Sequence, residues 1–527
     1  MPPLAEHIFP AGQRDALPVA ARSRGDIDRS GSVRERRGPP PPVFRPLSEF
    51  TVKRFALYES SMPSHREAKS GSATALDYDS LGTDPPVQHS LQCRWLASLT
   101  SAVSFHRAGS PAASRGKWRV VRFGSSLTGQ TNGPALPEAT GLEVDKLDSE
   151  RVRRYISTHL AQFEDTPIDG LLSDSIEAGG LQNITDHLDA GFLRLRGYDM
   201  IPWMLTTAGF LVEDAYSSDL FLADFRRTLA EVFAESYYGT LSEEAHQRGV
   251  IYYAEALEDR RPQLGDDLAM RSHADVPMGG AMWTYSSETG PAPTYVADLK
   301  GGASSVAHVY GRRHTGSEAF TTGRNPWSDS PKSLKHVADL QLALGVTRFC
   351  IHTSPHQPMQ VPPPGIALAP SLGQSFTRNE TWASTAKPWV DYLARCSHLL
   401  SLGRPAVDIA YFIGEEAPVT ALFGNAFNDD VPADYDYDYI GPDALSNVLN
   451  VKAGELQAGA SRYRLLYLGG ASNRMSTAPS KRSCDWWNRV QRWWANVQRP
   501  SARWLTRTPS TSVCVTSFGT TRTVARF

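Results

Sequence analysis

The sequence has no long hydrophobic run and almost no net charge. No stretch approaches the about 18 consecutive apolar residues of a membrane span, and residues 1–26 lack the continuous apolar segment of a signal peptide. We therefore expect no membrane partner and, by default, a cytoplasmic location. The net charge of −2 over 527 residues argues against a nucleic-acid partner bound through bulk electrostatics.

Cysteine is scarce as well. The chain has five cysteines, an odd number without metal-like spacing: Cys93, Cys350, Cys396, Cys484 and Cys514. This pattern is typical of free thiols rather than of a disulfide framework.

The chain changes character three times along its length. Residues 1–115 are rich in Pro, Ser, Arg and Gly and show no sustained periodicity, which predicts an irregular N-terminal region. Residues 116–403 alternate apolar segments with amphipathic ones, and we predict a barrel-type catalytic domain there. A partial second α/β domain is predicted over 404–475, followed by an irregular tail over 476–527.

The alternation between 116 and 403 indicates the fold class. Segments such as "IDGLLSDSIEAG", "VIYYAEALED" and "TRFCIHTSPHQP" have the composition of strands, "ASSVAHVYG" with "GSEAFTTG" suggests a further strand-loop region, and "DSERVRRYISTHLAQF" and "PKSLKHVADLQLALGV" have the spacing of helices. Such alternation predicts parallel strands joined by crossover helices. We therefore expect an α/β fold: a (β/α)8-type barrel, complete or incomplete, followed by a smaller α/β domain.

Carboxylates follow three of the predicted strands. In parallel α/β sheets functional groups gather past the carboxyl ends of the strands, and Glu177, Glu255 and Glu318 are predicted at such ends. Polar and aromatic residues at other predicted strand ends are Trp283, His352, His356, Asn379 and Trp382. Glycoside hydrolysis needs paired carboxylates in such surroundings. A single Glu at a strand end is more often solvated, and a Trp is at least as often in the core, so these residues indicate no more than a carbohydrate-active α/β enzyme.

A set of motifs, in order along residues 118–475, makes the prediction of a carbohydrate-active enzyme more specific. They include "VRFGSSLTGQTNGPALPEATGLEVDKLD", "DSIEAGGLQNITD", "LRGYDMIPWM", "YGTLSEEAHQRG", "SSVAHVYG", "TRFCIHTSPHQP" and "TRNETW". Together they resemble glycoside hydrolase family 106, the α-L-rhamnosidases. The resemblance implies a (β/α)8-type catalytic domain, calcium dependence, and inverting hydrolysis of terminal α-L-rhamnose in glycans or glycosides.

Both ends of the chain depart from the family pattern. Residues 1–115 do not resemble the strands that open the family's barrel, and the resemblance stops after the "YLGG" strand. We therefore expect a truncated or wrongly translated member with an incomplete barrel. The alternative to an active enzyme is a non-catalytic carbohydrate-binding or inactive fragment of one.

The roles of the carboxylates follow from the spacing that inversion requires. An inverting pair is about 6.5–9.5 Å apart, so that a water molecule fits between the two groups. Strand ends on opposite sides of a barrel supply that gap, and we assign Glu177 as the general acid and Glu255 as the general base, with Glu318 as the substitute for either. A retaining enzyme such as a β-galactosidase would instead need carboxylates only about 5–5.5 Å apart.

The predicted ligands are less constrained. Calcium prefers oxygen donors, and candidates near the predicted strand ends are Asp174, Asn183, Asp259 and Asp298. No loop spacing defines a calcium site, so the metal is implied by the family resemblance alone. For Asp174 the role of a turn cap is as consistent as that of a ligand. The sugar-contact candidates are Trp283, His352, His356, Asn379 and Trp382.

Overall fold

The structure is a computed structural model. It describes residues 123–471, apart from 133–134, 177–181, 257–264, 287–289, 294–297, 323–326, 359–360, 368–372, 415–434 and 453–454, together with short pieces before residue 72. The chain divides into two compact units. The first consists of Met1–Ala73, Leu81–Phe123 and Tyr198–Ala223, and the second of Thr74–Ser80, Gly124–Gly197 and Asp224–Phe527.

The first unit contains short strands and one short helix. These are β1 (Phe9–Pro10), β2 (Gly25–Ile27), β3 (Ser32–Glu35), β4 (Glu49–Thr51), β5 (Leu57–Tyr58) and α1 (Arg66–Lys69). Strands β1 and β5 are parallel, and β2, β3 and β4 form an antiparallel sheet. A 3-10 helix at Ile201–Ala208 belongs to the same unit. The region predicted as irregular thus has regular elements among its described residues, and its boundary at residue 115 stays a prediction.

The second unit alternates helices and strands along the chain. In its first part these are α2 (Ser149–Leu160), β6 (Gly170–Ser173), α3 (Leu188–Arg196), α4 (Ala215–Phe233, which begins in the first unit), α5 (Thr240–Gln247), β7 (Ile251–Ala254), α6 (Asp267–Ser272), β8 (Val276–Ser286), β9 (Gly290–Pro293), α7 (Ser305–Val309), β10 (Gly316–Thr322), α8 (Pro331–Ala343), β11 (Arg348–Ile351) and α9 (Lys387–Leu402). Shorter 3-10 helices cover Pro137–Ala139, Ala161–Phe163 and Ala383–Thr385, and π-helical turns cover Ala234–Gly239 and Asp298–Ser304.

Local sequence explains where the helices begin and which face they bury. The Asp148 side chain accepts hydrogen bonds from the backbone N–H groups of Glu150 and Arg151 and caps α2. Helix α2 then buries Val152, Ile156 and Leu160, four residues apart, on one face. At α8, Ser330 and Ser333 form a capping box ahead of a first turn that starts with Pro331.

Five strands form one parallel sheet in the order β11-β10-β8-β7-β6, and β9 pairs with β8 antiparallel. The sheet is a curled half-barrel, consistent with an incomplete barrel. All five parallel strands share one direction, so their carboxyl ends lie along one edge of the sheet. The predicted α/β class is confirmed, while this sheet has only five parallel strands among the described residues rather than the eight of a complete barrel.

A second parallel sheet follows. Its strands are β12 (Ile409–Gly414), β13 (Tyr437–Ile440) and, after the antiparallel strands β14 (Asn450–Lys452), β15 (Glu455–Ala458) and β16 (Ser461–Tyr463), β17 (Leu465–Ala471). Strand β12 lies between β13 and β17, every residue of β12 is buried, and a π-helical turn covers Ala444–Val448. Both sheets belong to the same compact unit, so a separate second domain stays a prediction.

Two sequence expectations differ from this fold. The segment "ASSVAHVYG" was expected in a strand region but forms the end of a π-helical turn and helix α7. The segment "WRVVRFGSS" (residues 118–126), whose β-branched and aromatic composition predicts a strand, lies partly outside the described residues, and its residues 123–126 are not in a strand. Among the described residues no helix combines the length and apolarity needed to cross a bilayer.

Candidate active site

Three carboxylates converge at the carboxyl edge of the curled sheet. Asp174 follows β6 directly, Glu255 follows β7 directly, and Glu318 is the third residue of β10. One oxygen of each side chain lies within 4.8 Å of the others. The sequence predicted Glu318 past the end of its strand, whereas it lies inside β10. Its carboxylate nevertheless lies close to those of Asp174 and Glu255.

Backbone hydrogen bonds extend the pairing of β6 and β7 beyond the strands. The N–H of Glu255 donates to the carbonyl of Ser173 over 3.1 Å, and the N–H of Ile176 donates to the carbonyl of Ala256 over 2.8 Å. Asp174 lies between the two β6-side partners. This extension therefore keeps Asp174 beside Glu255.

The three carboxylates differ in burial. Glu255 is only 4% exposed, Asp174 is exposed, and Glu318 is intermediate. Burial raises the pKa of Glu255 well above its ordinary value, and the negative charges of Glu318 and Asp174 raise it further. A cluster of this kind is stable only if one member holds a proton or if a cation lies among the oxygens.

A bulge in β10 brings a hydroxyl group to Glu318. Residues an odd number apart in a regular strand point to opposite faces, yet the Thr321 hydroxyl donates a hydrogen bond to Oε1 of Glu318. The pairing of β10 with β8 shifts register between Ala319 and Thr322, and Phe320 has a φ of +69°. The bulge therefore turns Thr321 to the face of Glu318.

Packing compensates the strained backbone of Phe320. A left-handed conformation costs a residue with a Cβ about 1–2 kcal/mol. The Phe320 ring is fully buried, and its centroid lies 6.0 Å from that of Phe349, 5.6 Å from that of Phe376 and 6.0 Å from that of Trp389. These contacts hold the residue in place.

His352 lies next to the same pair. Its Nδ1 is 3.2 Å from the Thr321 hydroxyl and 3.9 Å from Oε1 of Glu318. Because the hydroxyl proton is donated to Glu318, the hydroxyl oxygen accepts from Nδ1–H, which leaves Nε2 as the other polar atom of the ring. Sequence reasoning proposed His352 but missed Thr321, since no signal in "SEAFTT" indicates a bulge.

Asp298 does not join the cluster of three carboxylates. Its Oδ1 forms an ion pair with the buried guanidinium of Arg271, and its Oδ2 accepts a hydrogen bond of 2.8 Å from the backbone N–H of Gly280. Both oxygens predicted to bind metal are therefore engaged by protein donors. Arg271 carried no functional signal in the sequence.

The sugar-contact candidates His356, Asn379 and Trp382 lie on the part of the chain that follows β11. His356 and Trp382 line an open groove of about 660 Å³ beside the end of β11, and Asn379 is an exposed residue of the adjoining segment. The Trp382 indole N–H donates to the carbonyl of Asp329 over 3.2 Å, and its ring meets that of Phe376 edge-on. Trp382 thus both packs against the core and faces the groove.

Several predicted residues lie outside what the structure describes. Glu177 and Asp259 are among the residues not described, and of Trp283 only the backbone, within β8, is described. Asn183 is described as a half-buried residue between β6 and α3. The roles assigned to these residues stay predictions.

A parallel sheet with carboxylates at its carboxyl edge is typical of the catalytic domains of glycoside hydrolases. The family model of glycoside hydrolase family 106, described as alpha-L-rhamnosidase, matches residues 14–482. The chain therefore belongs to glycoside hydrolase family 106.

Similar proteins of known sequence or structure carry different names. A rhamnosidase structure from Novosphingobium sp. PP1Y has 42% sequence identity and a TM-score of 0.64, covering 70% of this chain and 38% of that one. A protein of Formosa agariphila named "Putative beta-glucuronidase" is 34% identical over 351 residues, which are 65% of this chain and 28% of the relative. A beta-galactosidase structure from Marinomonas ef1 matches at 12% identity and a TM-score of 0.37, over 64% of this chain and 58% of that one. The chain thus spans well under half the length of the first two relatives.

Proposed function

We propose that this chain is a glycoside hydrolase that removes terminal α-L-rhamnose from glycans or glycosides with inversion. The observation that carries the proposal is the convergence of Asp174, Glu255 and Glu318 at the carboxyl edge of a half-barrel that belongs to a rhamnosidase family. Hydrolysis of a glycosidic bond needs one group that protonates the leaving oxygen and one that activates water. Of the predicted sugar contacts, His352 follows β11 directly, and His356 and Trp382 line the groove beside the end of that strand.

The distances within the cluster restrict the choice of acid and base. The nearest oxygens of the three carboxylates lie within 4.8 Å of one another, which is below the about 6.5–9.5 Å that an inverting pair requires. Measured between nearest oxygens, the members of the cluster are thus closer together than the carboxyl groups of an inverting pair. For this mechanism we propose Glu177 as the acid and Glu255 as the base.

The electrostatics of Glu255 bear on its role. A base must be ionised at the working pH, whereas burial and the neighbouring carboxylates raise the pKa of Glu255. A positive charge among the three carboxylates lowers that pKa and favours the ionised form. The assignment as base thus depends on a cation at the cluster.

The donor set fits calcium. Carboxylate oxygens are the ligands that Ca²⁺ prefers, and three of them lie close together with Asp174 open to solvent. We propose that Asp174, Glu255 and Glu318 hold the ion. When bound, calcium would offset two of the three negative charges of the cluster and offer a site for sugar hydroxyl groups.

An assay of aryl α-L-rhamnoside hydrolysis, with and without a chelator, tests the proposal. We expect cleavage that the chelator abolishes and added calcium restores, and no cleavage of the matching aryl β-glucuronide. If the wild-type chain binds rhamnose but cleaves no rhamnoside even with calcium, the proposal of an enzyme is overturned. That result would support a non-catalytic carbohydrate-binding chain. Preferential cleavage of the glucuronide would overturn the substrate class.

The leaving group separates the roles of Glu177 and Glu255. Replacing Glu177 with Gln removes the proton that a poor leaving group needs, so it should nearly abolish cleavage of an alkyl rhamnoside and affect an activated aryl rhamnoside less. Replacing Glu255 with Gln should affect both equally, because water activation is needed whichever group leaves. The reverse pattern would exchange the two roles.

A further inference from the structure

A fully buried arginine lies behind the strand that separates two of the carboxylates. Arg271, on α6, has no exposed surface, and its Nε donates a hydrogen bond of 2.7 Å to the carbonyl of Met278 in β8. Its Nη2 pairs with Oδ1 of Asp298. A buried guanidinium with directional bonds of this kind fixes the backbone that it contacts.

Asp298 contacts the same strand from its other oxygen. Oδ2 accepts from the N–H of Gly280 over 2.8 Å, and a Cβ on Gly279 would lie 2.7 Å from that oxygen. Glycine at 279 is therefore what lets the carboxylate approach the backbone. Together Arg271 and Asp298 contact three consecutive residues of β8, namely 278–280.

Strand β8 lies between the strands that carry the acids. Its Pro277 pairs with Ala254 of β7, the residue before Glu255, and its Gly280 pairs with Glu318 of β10. The position of β8 along the sheet therefore sets the separation of the two glutamates. A shift of β8 would move them relative to each other.

We infer that Arg271 and Asp298 are positioning residues, which hold β8 so that Glu255 and Glu318 converge with Asp174 and bind calcium and substrate. The inference rests on the proposed function. In this inference Asp298 is not a metal ligand, because both of its carboxylate oxygens are bound to donors of the protein. Outer groups of this kind typically affect metal affinity or activity by about 10–100-fold.

The test compares Asp298→Asn with Asp267→Asn. Asp267 pairs with the same guanidinium, with Nη1 3.3 Å from Oδ1, and is equally buried. Each variant removes one negative charge from Arg271. In Asp298→Asn, an amide nitrogen also faces either the guanidinium or the N–H of Gly280, so one of the two bonds is lost.

Three measurements are made on the full chain: kcat and KM for an aryl rhamnoside, calcium affinity by titration, and the midpoint of thermal unfolding. We expect Asp298→Asn to lower kcat and calcium affinity by about tenfold or more, and Asp267→Asn to change either by less than about threefold, although both lower the midpoint. Equal losses of kcat and calcium affinity in the two variants, or wild-type values in Asp298→Asn, would overturn the inference. Arg271 and Asp298 would then only stabilise the fold.

Gly279→Ala serves as a second variant in case Asp298→Asn does not fold. It keeps every charge but forces the Asp298 carboxylate away from β8, and the same loss of kcat and calcium affinity is expected. A wild-type chain that binds calcium without cleaving rhamnosides would overturn the proposed function, and the calcium titrations would still decide the inference. A wild-type chain that does neither would overturn both.

Discussion

The two parallel sheets of the second unit each bury an acidic residue, and they treat it differently. Asp438 of β13 has no exposed surface, accepts from the Tyr463 hydroxyl over 2.9 Å, and lies 2.9 Å from Nδ1 of His308. Glu255 is nearly as buried, but its charged neighbours include Glu318 and Asp174. Asp438 is paired with hydrogen-bond donors, whereas the charged neighbours of Glu255 are three acids and one arginine.

The difference distinguishes an acid that stabilises the fold from one that costs stability. Donors stabilise the carboxylate of Asp438, and burial together with Asp438 raises the pKa of Tyr463, which keeps that hydroxyl a donor. Like charges and burial disfavour the carboxylate of Glu255. Groups kept at such a cost are candidates for function, which is the basis for placing Glu255 rather than Asp438 in the active site.

The largest expected effect is on catalysis. Replacing Glu255 with Gln should lower kcat for an aryl rhamnoside by roughly 10²–10⁴-fold, because general-base assistance is lost. Asp438→Asn, a matched change at the other buried acid, should leave kcat within about twofold. Steady-state kinetics on both variants measures this, and similar losses in the two would remove the contrast between the sheets.

The reverse order is expected for stability. Asp438→Ala leaves the Tyr463 hydroxyl and the His308 ring without an acceptor and should lower the free energy of unfolding by about 2–4 kcal/mol. Asp436→Ala removes an acid whose side chain is 49% exposed and paired with Lys300, and should cost less than about 1 kcal/mol. Urea denaturation compares the two, and an equal cost would mean that the bonds of Asp438 contribute nothing beyond an exposed pair.

The pH dependence of stability sharpens the comparison further. The raised pKa of Glu255 means that the folded chain binds this proton more tightly than the unfolded chain does. Its contribution to stability is therefore complete below the ordinary Glu pKa and is lost as pH rises through the raised value. The loss is about 1.4 kcal/mol for each tenfold difference in proton affinity between the folded and unfolded chains.

We therefore expect Glu255→Gln to match the wild type near pH 4 and to be the more stable protein at pH 8, with a chelator present. Urea denaturation at the two pH values measures the difference. An identical pH dependence in both proteins would contradict the raised pKa.

The smallest effect concerns the hydroxyl between His352 and Glu318. Thr321→Val keeps the shape and removes the two hydrogen bonds, and should lower kcat by about 3–10-fold at a stability cost of about 1 kcal/mol. The control is Ser317→Ala, which removes another hydroxyl of β10. This hydroxyl donates a hydrogen bond of 3.0 Å to Oε1 of Gln341, and its loss should leave kcat unchanged. Kinetics and urea denaturation of both variants check this, and equal kcat values would exclude Thr321 from the site.

The periodicity and composition of the sequence were sufficient to predict most of the alternation of helices and strands. They also predicted that Glu255 follows a strand. Helices α2 and α8 and strands β7 and β11 lie where the spacing of apolar residues predicted them. Helix α7 was missed, because a short apolar segment with valines has the same composition in a strand and in a buried helix.

The site was harder to predict, because it depends on distant pairing. The bulge in β10 places Thr321 beside Glu318, and Arg271 forms an ion pair with Asp298. A pattern along one segment shows which residues end a strand, but it contains neither the register between strands nor the partner of a buried charge. Glu318 therefore was expected at a strand end and lies within the strand.

The bulge at Phe320 also has a consequence for how the sequence of this chain can vary. Because the pairing of β10 with β8 differs on its two sides, the strand cannot slide by two residues to a new pairing that satisfies both halves. The spacing between acids is thus insulated from changes in the length of the connections on either side. Insertions in those loops can change the surface beside the sheet while the three carboxylates keep their separation.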